Sequence, residues 1–351
     1  MYKESEFYCP DCDNGYDAPQ LPNRRNFIRS TAAAAVAIGA PSILTAQDNK
    51  GVKPNRPGQT KPAEDIIREL HASLTDEQKG KLVLPYDHSG KKGPSRLGAY
   101  NSPFGGLNIG QEYDKKQQEL VHRALRSILS SDDAVERVSR YGRWDSSGSF
   151  EGCGSVIFGD PSDEANPFAW VFSGHHLTLR CDGNSAPGVA FGGPIYYGHS
   201  TPGYSDRNVY YYQTQAAQNF FESLDASQQK EAVAERNPGD GQRGITFPKD
   251  GASKPGISFA DLNDEQKSLL EKVMKTALDP FRKEDAEEVM QLVKTNGGME
   301  QIHLAFYREN TKGDKDAPQR WSFWRIEGPG FIWNYRALPH VHCFVNIAAH
   351  A

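Results

Sequence analysis

The side chains with the most chemistry to offer are histidines in two short runs. GHHL puts His175 next to His176, and PHVHCF sets His340 and His342 one residue apart near the end of the chain. In an extended strand successive side chains alternate between faces. His340, His342, Phe344 and Asn346 then share one face, and Val341, Cys343, Val345 and Ile347 the other. Two imidazoles on one face suit a shared metal ion, although a half-exposed strand with an apolar back has the same pattern. In GHHLTLRC, read as one strand, the alternation sends His175 and His176 to opposite faces unless Gly174 introduces a bulge. That favours His176, on the polar face with Thr178 and Arg180, as a ligand. His175 is left as a fourth ligand, a supporting partner, or a buried histidine bonded to a carbonyl. His176, His340 and His342 together make a three-imidazole site with a coordination position open to water or substrate. Imidazole donors suit a divalent transition metal, whether zinc, copper or iron, and the spacing does not choose among them.

Other segments offer less. PYDHSG sets Asp87 beside His88 in a turn, where the pair could orient a ligand, move a proton or only cap the loop. GGPIYYGHSTPGYS carries His199 with Tyr196, Tyr197 and Tyr204, rings suited to stacking on a sugar, while Gly192 and Gly193 equally suit a close backbone turn. His71 and His122 lie at or beside helical stripes and are expected to pack or to be solvated. The chain contains no GxSxG elbow, Walker loop, GxGxxG fingerprint after a strand, or HExxH. No opposed carboxylate pair for glycoside cleavage can be nominated, so no catalytic residue is assigned.

The elements that must position these histidines are legible in part. Aromatic and β-branched runs mark strands at SVIFG, at FAWVFSGHHLTLRC, and at IHLAFYR, RWSFWRIEG, FIWNYR and HVHCFVNI. GPG at 328–330 and ALP at 337–339 are short connections, so the last three strands form an antiparallel meander. Residues 112–129 carry an apolar stripe at helical spacing. LTDEQKGKL, LDASQQKEAV and LNDEQKSLL each hold a capping box, Thr75 with Gln78, Asp225 with Gln228 and Asn263 with Gln266, and each predicts a helix start. Unequal intervals between the three favour shared local chemistry over a structural repeat. The expected class is α+β, a mainly antiparallel sheet with a C-terminal meander, flanked by helices.

Composition bounds the rest. The 351 residues carry a formal charge of −5, with 24% charged and 37% hydrophobic residues, ordinary for a globular protein and without the basic excess that nucleic-acid binding needs. NRRNFIRSTAAAAVAIGAPSILTAQ, with Arg24 and Arg25 ahead of a short alanine-rich stretch, resembles a twin-arginine export signal. Residues 1–46 are expected to be that signal peptide, read by the twin-arginine machinery and removed near Ala46. Residues 47–62 are then a flexible spacer, and 63–351 one α+β domain with no membrane span, in the periplasm or outside the cell. Residues 237–256, rich in Gly, Pro and Lys, are the best candidate for a loop or a boundary. The CPDC pair at 9–12 leaves with the signal, and Cys153, Cys181 and Cys343 allow at most one disulfide.

Several of these segments resemble one family. IFGDPS at 157, AWVFSGHHLTL at 169, the GGP-aromatic stretch at 192, and RIEGPG at 325 followed by the H-x-H strand are similar to the bacterial exported proteins grouped as domain of unknown function 3500. The likeness runs over roughly residues 65–347 and includes PYDHSG and the helix ending in SILSSDD. The chain departs from the family pattern after the H-x-H strand, passing through Asn346 to AAHA in place of an Arg-Asp-Pro and Asp-Tyr-Gly type segment. The resemblance implies a secreted protein of that fold, without an assigned activity. The residues themselves favour a histidine-built metal site in an exported hydrolase or oxidoreductase acting on a small molecule or polymer. The competing class is a non-catalytic secreted module that binds a glycan or a metal.

Overall fold

Four helices begin in the same way. Thr75, Asp114, Asp225 and Asn263 each accept a hydrogen bond from the backbone N–H three residues on, and the glutamine at that position returns a bond to the cap's own N–H. Each box satisfies amides that a helix start otherwise leaves without partners. Three of the four are those expected, and the fourth, at Asp114, narrows the helix predicted over 112–129 to Lys115–Ile128. This computed structural model describes residues 62–90, 93–163, 165–235, 238–240, 242–247, 254–307 and 321–349. The expected export segment, the CPDC pair and His350 lie outside those residues. Among the described residues no helix is long and apolar enough to cross a membrane.

The main helices are α1 (Pro62–Ser73), α2 (Asp76–Leu82), α3 (Lys115–Ile128), α4 (Asp132–Val138), α5 (Tyr211–Ser223), α6 (Ala226–Ala232), α7 (Asp264–Leu278) and α8 (Lys283–Thr295). One sheet holds β1 (Val83–Leu84), β2 (Gly154–Gly159), β3 (Phe168–Gly174), β4 (Leu177–Cys181), β5 (Ile195–His199), β6 (Val233–Ala234), β7 (Ile257–Ser258), β8 (His303–Tyr307), β9 (Phe323–Gly328), β10 (Phe331–Arg336) and β11 (Val341–Ile347). Its order is β1-β2-β3-β4-β5-β11-β10-β9-β8-β6, with β7 also on β8. The pairs β1–β2 and β6–β8 are parallel and the rest antiparallel, including the expected meander β9-β10-β11. The class is α+β.

That order is the same from either edge, and so is the order along the chain. Two helices with a capping box between them, a short parallel strand, a second capped helix, another helix and then four strands occur once over 62–199 and again over 211–347. Thr75–Gln78 corresponds to Asp225–Gln228, and Asp114–Gln117 to Asn263–Gln266. Within each half the two capping glutamines also exchange side-chain hydrogen bonds, Gln78 with Gln117 and Gln228 with Gln266. The fold is therefore an internal structural repeat, contrary to the expectation from unequal intervals. Those intervals were unequal because the three visible copies occupy two different positions in the repeat.

The halves meet where β5 pairs with β11 and where the α3–α4 connection meets the α7–α8 connection, through the Leu129–Phe281 bridge. One face of the sheet, with Phe172, Leu179, Tyr197, Trp333, Cys343 and Val345, joins the helices in the main core. The other face is covered by loops and carries smaller apolar groups, such as Ala99, Tyr196, Ile245 and Phe344. Arg180, buried on that face, donates to the carbonyls of Arg96, Gly98 and Pro194, which clamps the 95–101 segment against the sheet. This loop-covered face holds the histidines.

Two local expectations need correction. FAWVFSGHHLTLRC is not one strand: it folds back at His175–His176 as a two-residue hairpin, with Gly174 paired to Leu177. The glycine-rich aromatic segment contains strand β5, and Tyr196 and Tyr197 are fully buried while Tyr204 bonds Trp321, so these rings make no open platform for a sugar. Gly192 does serve a close turn, at φ 74°, where a Cβ would overlap the Asp182 side chain.

Candidate metal centre

The hairpin between β3 and β4 delivers the first imidazole. His176 sits at φ 58°, a left-handed conformation in which a non-glycine residue is strained. Its neighbours hold it there. The His176 N–H donates to Asn101 Oδ1 at 2.6 Å, and the His175 N–H to Ser147 Oγ at 2.8 Å. The two rings lie 3.9 Å apart between centroids, so the turn keeps together side chains that a continuous strand would separate.

The second and third imidazoles come from β11 and the residue before it. His340 and His342 share a face as the alternation predicts, but that face is buried: His176, His340 and His342 are 1%, 3% and 2% exposed. A solvent-facing strand surface is thereby ruled out. Register sets His342 opposite Gly198 of β5. A side chain at 198 would meet the Val341 carbonyl, His176 and the His342 ring, so glycine is what lets the imidazoles approach. The ring of His176 lies 4.8 Å from that of His340 and 4.9 Å from that of His342. One ligand atom from each of the three falls within 4.8 Å of the others.

Two carboxylates hold this group from behind. Asp145 Oδ2 lies 2.9 Å from His176 Nδ1, and Asp240 Oδ2 lies 2.8 Å from His342 Nδ1. A carboxylate on Nδ1 fixes the tautomer and makes Nε2 the lone-pair nitrogen, which is how metal-binding histidines are usually supported. The two Nε2 atoms of His340 and His342 converge to 2.8 Å. Two nitrogens on a tetrahedral zinc stand roughly 3.3 Å apart, given bonds of about 2.05 Å, so a small outward adjustment suffices. The donor set is thus one that can ligate a divalent transition metal.

Asp145 reaches the site from a sharply bent segment. Arg140, Tyr141, Trp144 and Asp145 all have positive φ. The buried Trp144 indole packs on Phe150 and Phe172 and anchors this bend. Burial alone would raise the Asp145 carboxyl. The hydrogen bond and charge of His176, with His199 and Arg140, outweigh it and hold the group below the usual carboxylate range. Desolvation, then the charges of Arg336 and His176, push His340 down to about 2 and His342 well below its ordinary value. Both rings are neutral at physiological pH, as ligands must be.

Residues 58–350 match the family described as protein of unknown function, DUF3500. The chain belongs to that family. No curated protein and no solved structure matches it. For this DUF3500 chain, the observable chemistry is therefore that of its own buried cluster.

The sequence-derived candidates separate clearly. His176, His340 and His342 come together, and His175 lies beside them, half-buried, its Nδ1 accepting the Ser146 N–H at 3.2 Å. A second group, Asp145 with His175 and His176, shares His176 with the first. His88 is elsewhere, bonded through Nδ1 to Ser95 Oγ at 2.9 Å, His122 packs edge-on against Phe150, and His71 is buried near Asp160. His199 is buried close enough to Asp145 and His176 to feel their charges, and desolvation lowers it to about 4.

Sequence reasoning did not find Asp145, Asp240 or Arg336. The last had a signal: once Ala337–Pro339 join two antiparallel strands, register places Arg336 opposite His342. The two aspartates arrive from loops distant in sequence, and no local spacing marks them.

Proposed function

We propose that this chain is an exported metalloprotein in which His176, His340 and His342 hold one divalent transition metal ion. The observation that carries this reading is the convergence of three buried imidazoles from both halves of the repeat, two with a carboxylate on Nδ1. His175 is the neighbouring donor, as fourth ligand or as a partner beside His176. When bound, such an ion polarises a substrate or activates water, which suits a hydrolase or an oxidoreductase acting outside the cytoplasm. This chain's own residues orient the imidazoles and exclude bulk solvent. Export rests on the Arg24–Arg25 segment of the sequence.

The test is elemental analysis of the purified exported protein, with His176→Ala and His342→Ala beside it. About one transition metal per chain is expected in the parent and little in either variant. A metal-free parent, or variants that retain the metal, sinks the assignment. Burial of the imidazoles also supports a second reading, a closed site in a non-catalytic binding module, since structural metal sites are closed and catalytic ones open. Retained metal without hydrolytic or redox turnover across broad substrate panels would favour that module.

A further inference from the structure

Arg336 contacts the same lone pairs that a metal would use. Its Nη2 donates to Nε2 of both His340 and His342, at 2.7 Å each. Its Nη1 lies 2.7 Å from Asp240 Oδ2, and its Nε donates to the His340 carbonyl at 3.2 Å. An imidazole lone pair can serve the guanidinium or a metal ion, but not both at once. The guanidinium and the ion therefore compete for one pair of nitrogens.

Charge gives the competition a direction. Among the described residues, Asp145 and Asp240 are the carboxylates bonded to these imidazoles, and Arg140 and Arg336 are the guanidiniums paired with them. The formal charges of these two carboxylates and two guanidiniums cancel. A divalent ion added there brings two uncompensated positive charges among side chains largely removed from water, which is strongly unfavourable without a counter-charge. Displacing Nη2 from the imidazoles also frees a donor that matches carboxylate or phosphate geometry.

We propose that this site takes its metal together with an oxyanion. A carboxylate or phosphate oxygen of the substrate or ligand occupies the open coordination position, and Arg336 turns Nη2 from the two imidazoles onto it. This rests on the metal assignment above and names the ligand class that goes with it. Linkage makes the effect reciprocal, the anion tightening the metal and the metal tightening the anion by one factor.

The experiment is a cobalt(II) titration of the chelator-stripped full chain, followed by visible absorption, in a non-coordinating buffer with and without acetate or inorganic phosphate. Cobalt binding is expected to tighten about tenfold or more with at least one of the two anions. Arg336→Gln should bind cobalt more tightly than the parent in the absence of anion and lose the anion effect, and Arg336→Lys should keep a reduced effect. Cobalt binding that ignores both anions overturns the coupling while leaving the metal assignment intact. An anion effect that persists in Arg336→Gln overturns Arg336 as its carrier. Failure of both parent and Arg336→Gln to bind cobalt removes the metal assignment and this inference with it. Should Arg336→Gln not fold, the anion dependence of the parent decides alone.

Discussion

Asp145 and Asp240 do their work at one atom each, the Nδ1 of His176 and of His342. Asp145→Asn keeps the shape and removes the charge that fixes the tautomer, so metal affinity should fall by about 10–100-fold, measured by competition with a chromophoric chelator. An unchanged affinity would mean that the carboxylate is only a partner of Arg140. Gly198 acts by having no side chain. Gly198→Ala forces a methyl against the Val341 carbonyl, the His176 Cβ and the His342 ring, and should destabilise the protein by about 1–3 kcal/mol in urea denaturation, as overpacking does. A variant as stable as the parent would mean that the seam between β5 and β11 gives way easily. At this scale the H-x-H face was legible, because strand alternation is a local rule. The carboxylates were not legible, since contact between residues 145 and 176, or 240 and 342, is a property of the folded chain.

The element that decides the site is the β3–β4 hairpin. Read as a continuous strand, GHHL sends its two imidazoles apart. The chain instead turns there because Asn101 and Ser147 take the two turn amides and hold His176 at positive φ, and both of those partners lie outside the segment. The capping boxes were legible for the opposite reason, since cap and glutamine sit three residues apart on one helix start. Their glutamines also tie α2 to α3 and α6 to α7. Thr75→Ala should therefore cost about 1 kcal/mol, as loss of a cap usually does. Gln78→Ala should cost more, because the same amide also reaches the Glu112 carbonyl and Gln117. Denaturation midpoints check the order, and equal losses would mean that the glutamine pair contributes nothing beyond the cap.

At the scale of the whole molecule, two copies of one arrangement meet along β5 and β11, and the candidate centre lies at one end of that seam. His176 and Asp145 come from the first copy, and His340, His342, Arg336 and Asp240 from the second. The corresponding turn in the second copy is Pro329–Gly330, without histidines, so among the described residues the frame is repeated while the imidazole donors are not. The repeat escaped detection in the sequence because Asp114–Lys115–Lys116–Gln117 shares only its cap and glutamine with the other copies. The buried imidazoles also set how stability responds to acid. His199, lowered to about 4 by desolvation, and His340, lowered to about 2, refuse protons that the unfolded chain accepts below about pH 6.5. The unfolded state then binds more protons, so the metal-free protein loses stability as pH falls through that window. Loss of the depressed Asp145 carboxylate adds in the same direction at lower pH. Urea midpoints should be lower at about pH 5 than at about pH 7.5, and a flat or inverted trend would contradict neutral, buried rings.

If His176, His340 and His342 share one ion, X-ray absorption at the edge of the bound metal reads that shell directly. A nitrogen shell near 2.0–2.1 Å is expected for zinc, with imidazole scattering from at least three rings. A shell dominated by oxygen, without imidazole scattering, would contradict that shared site.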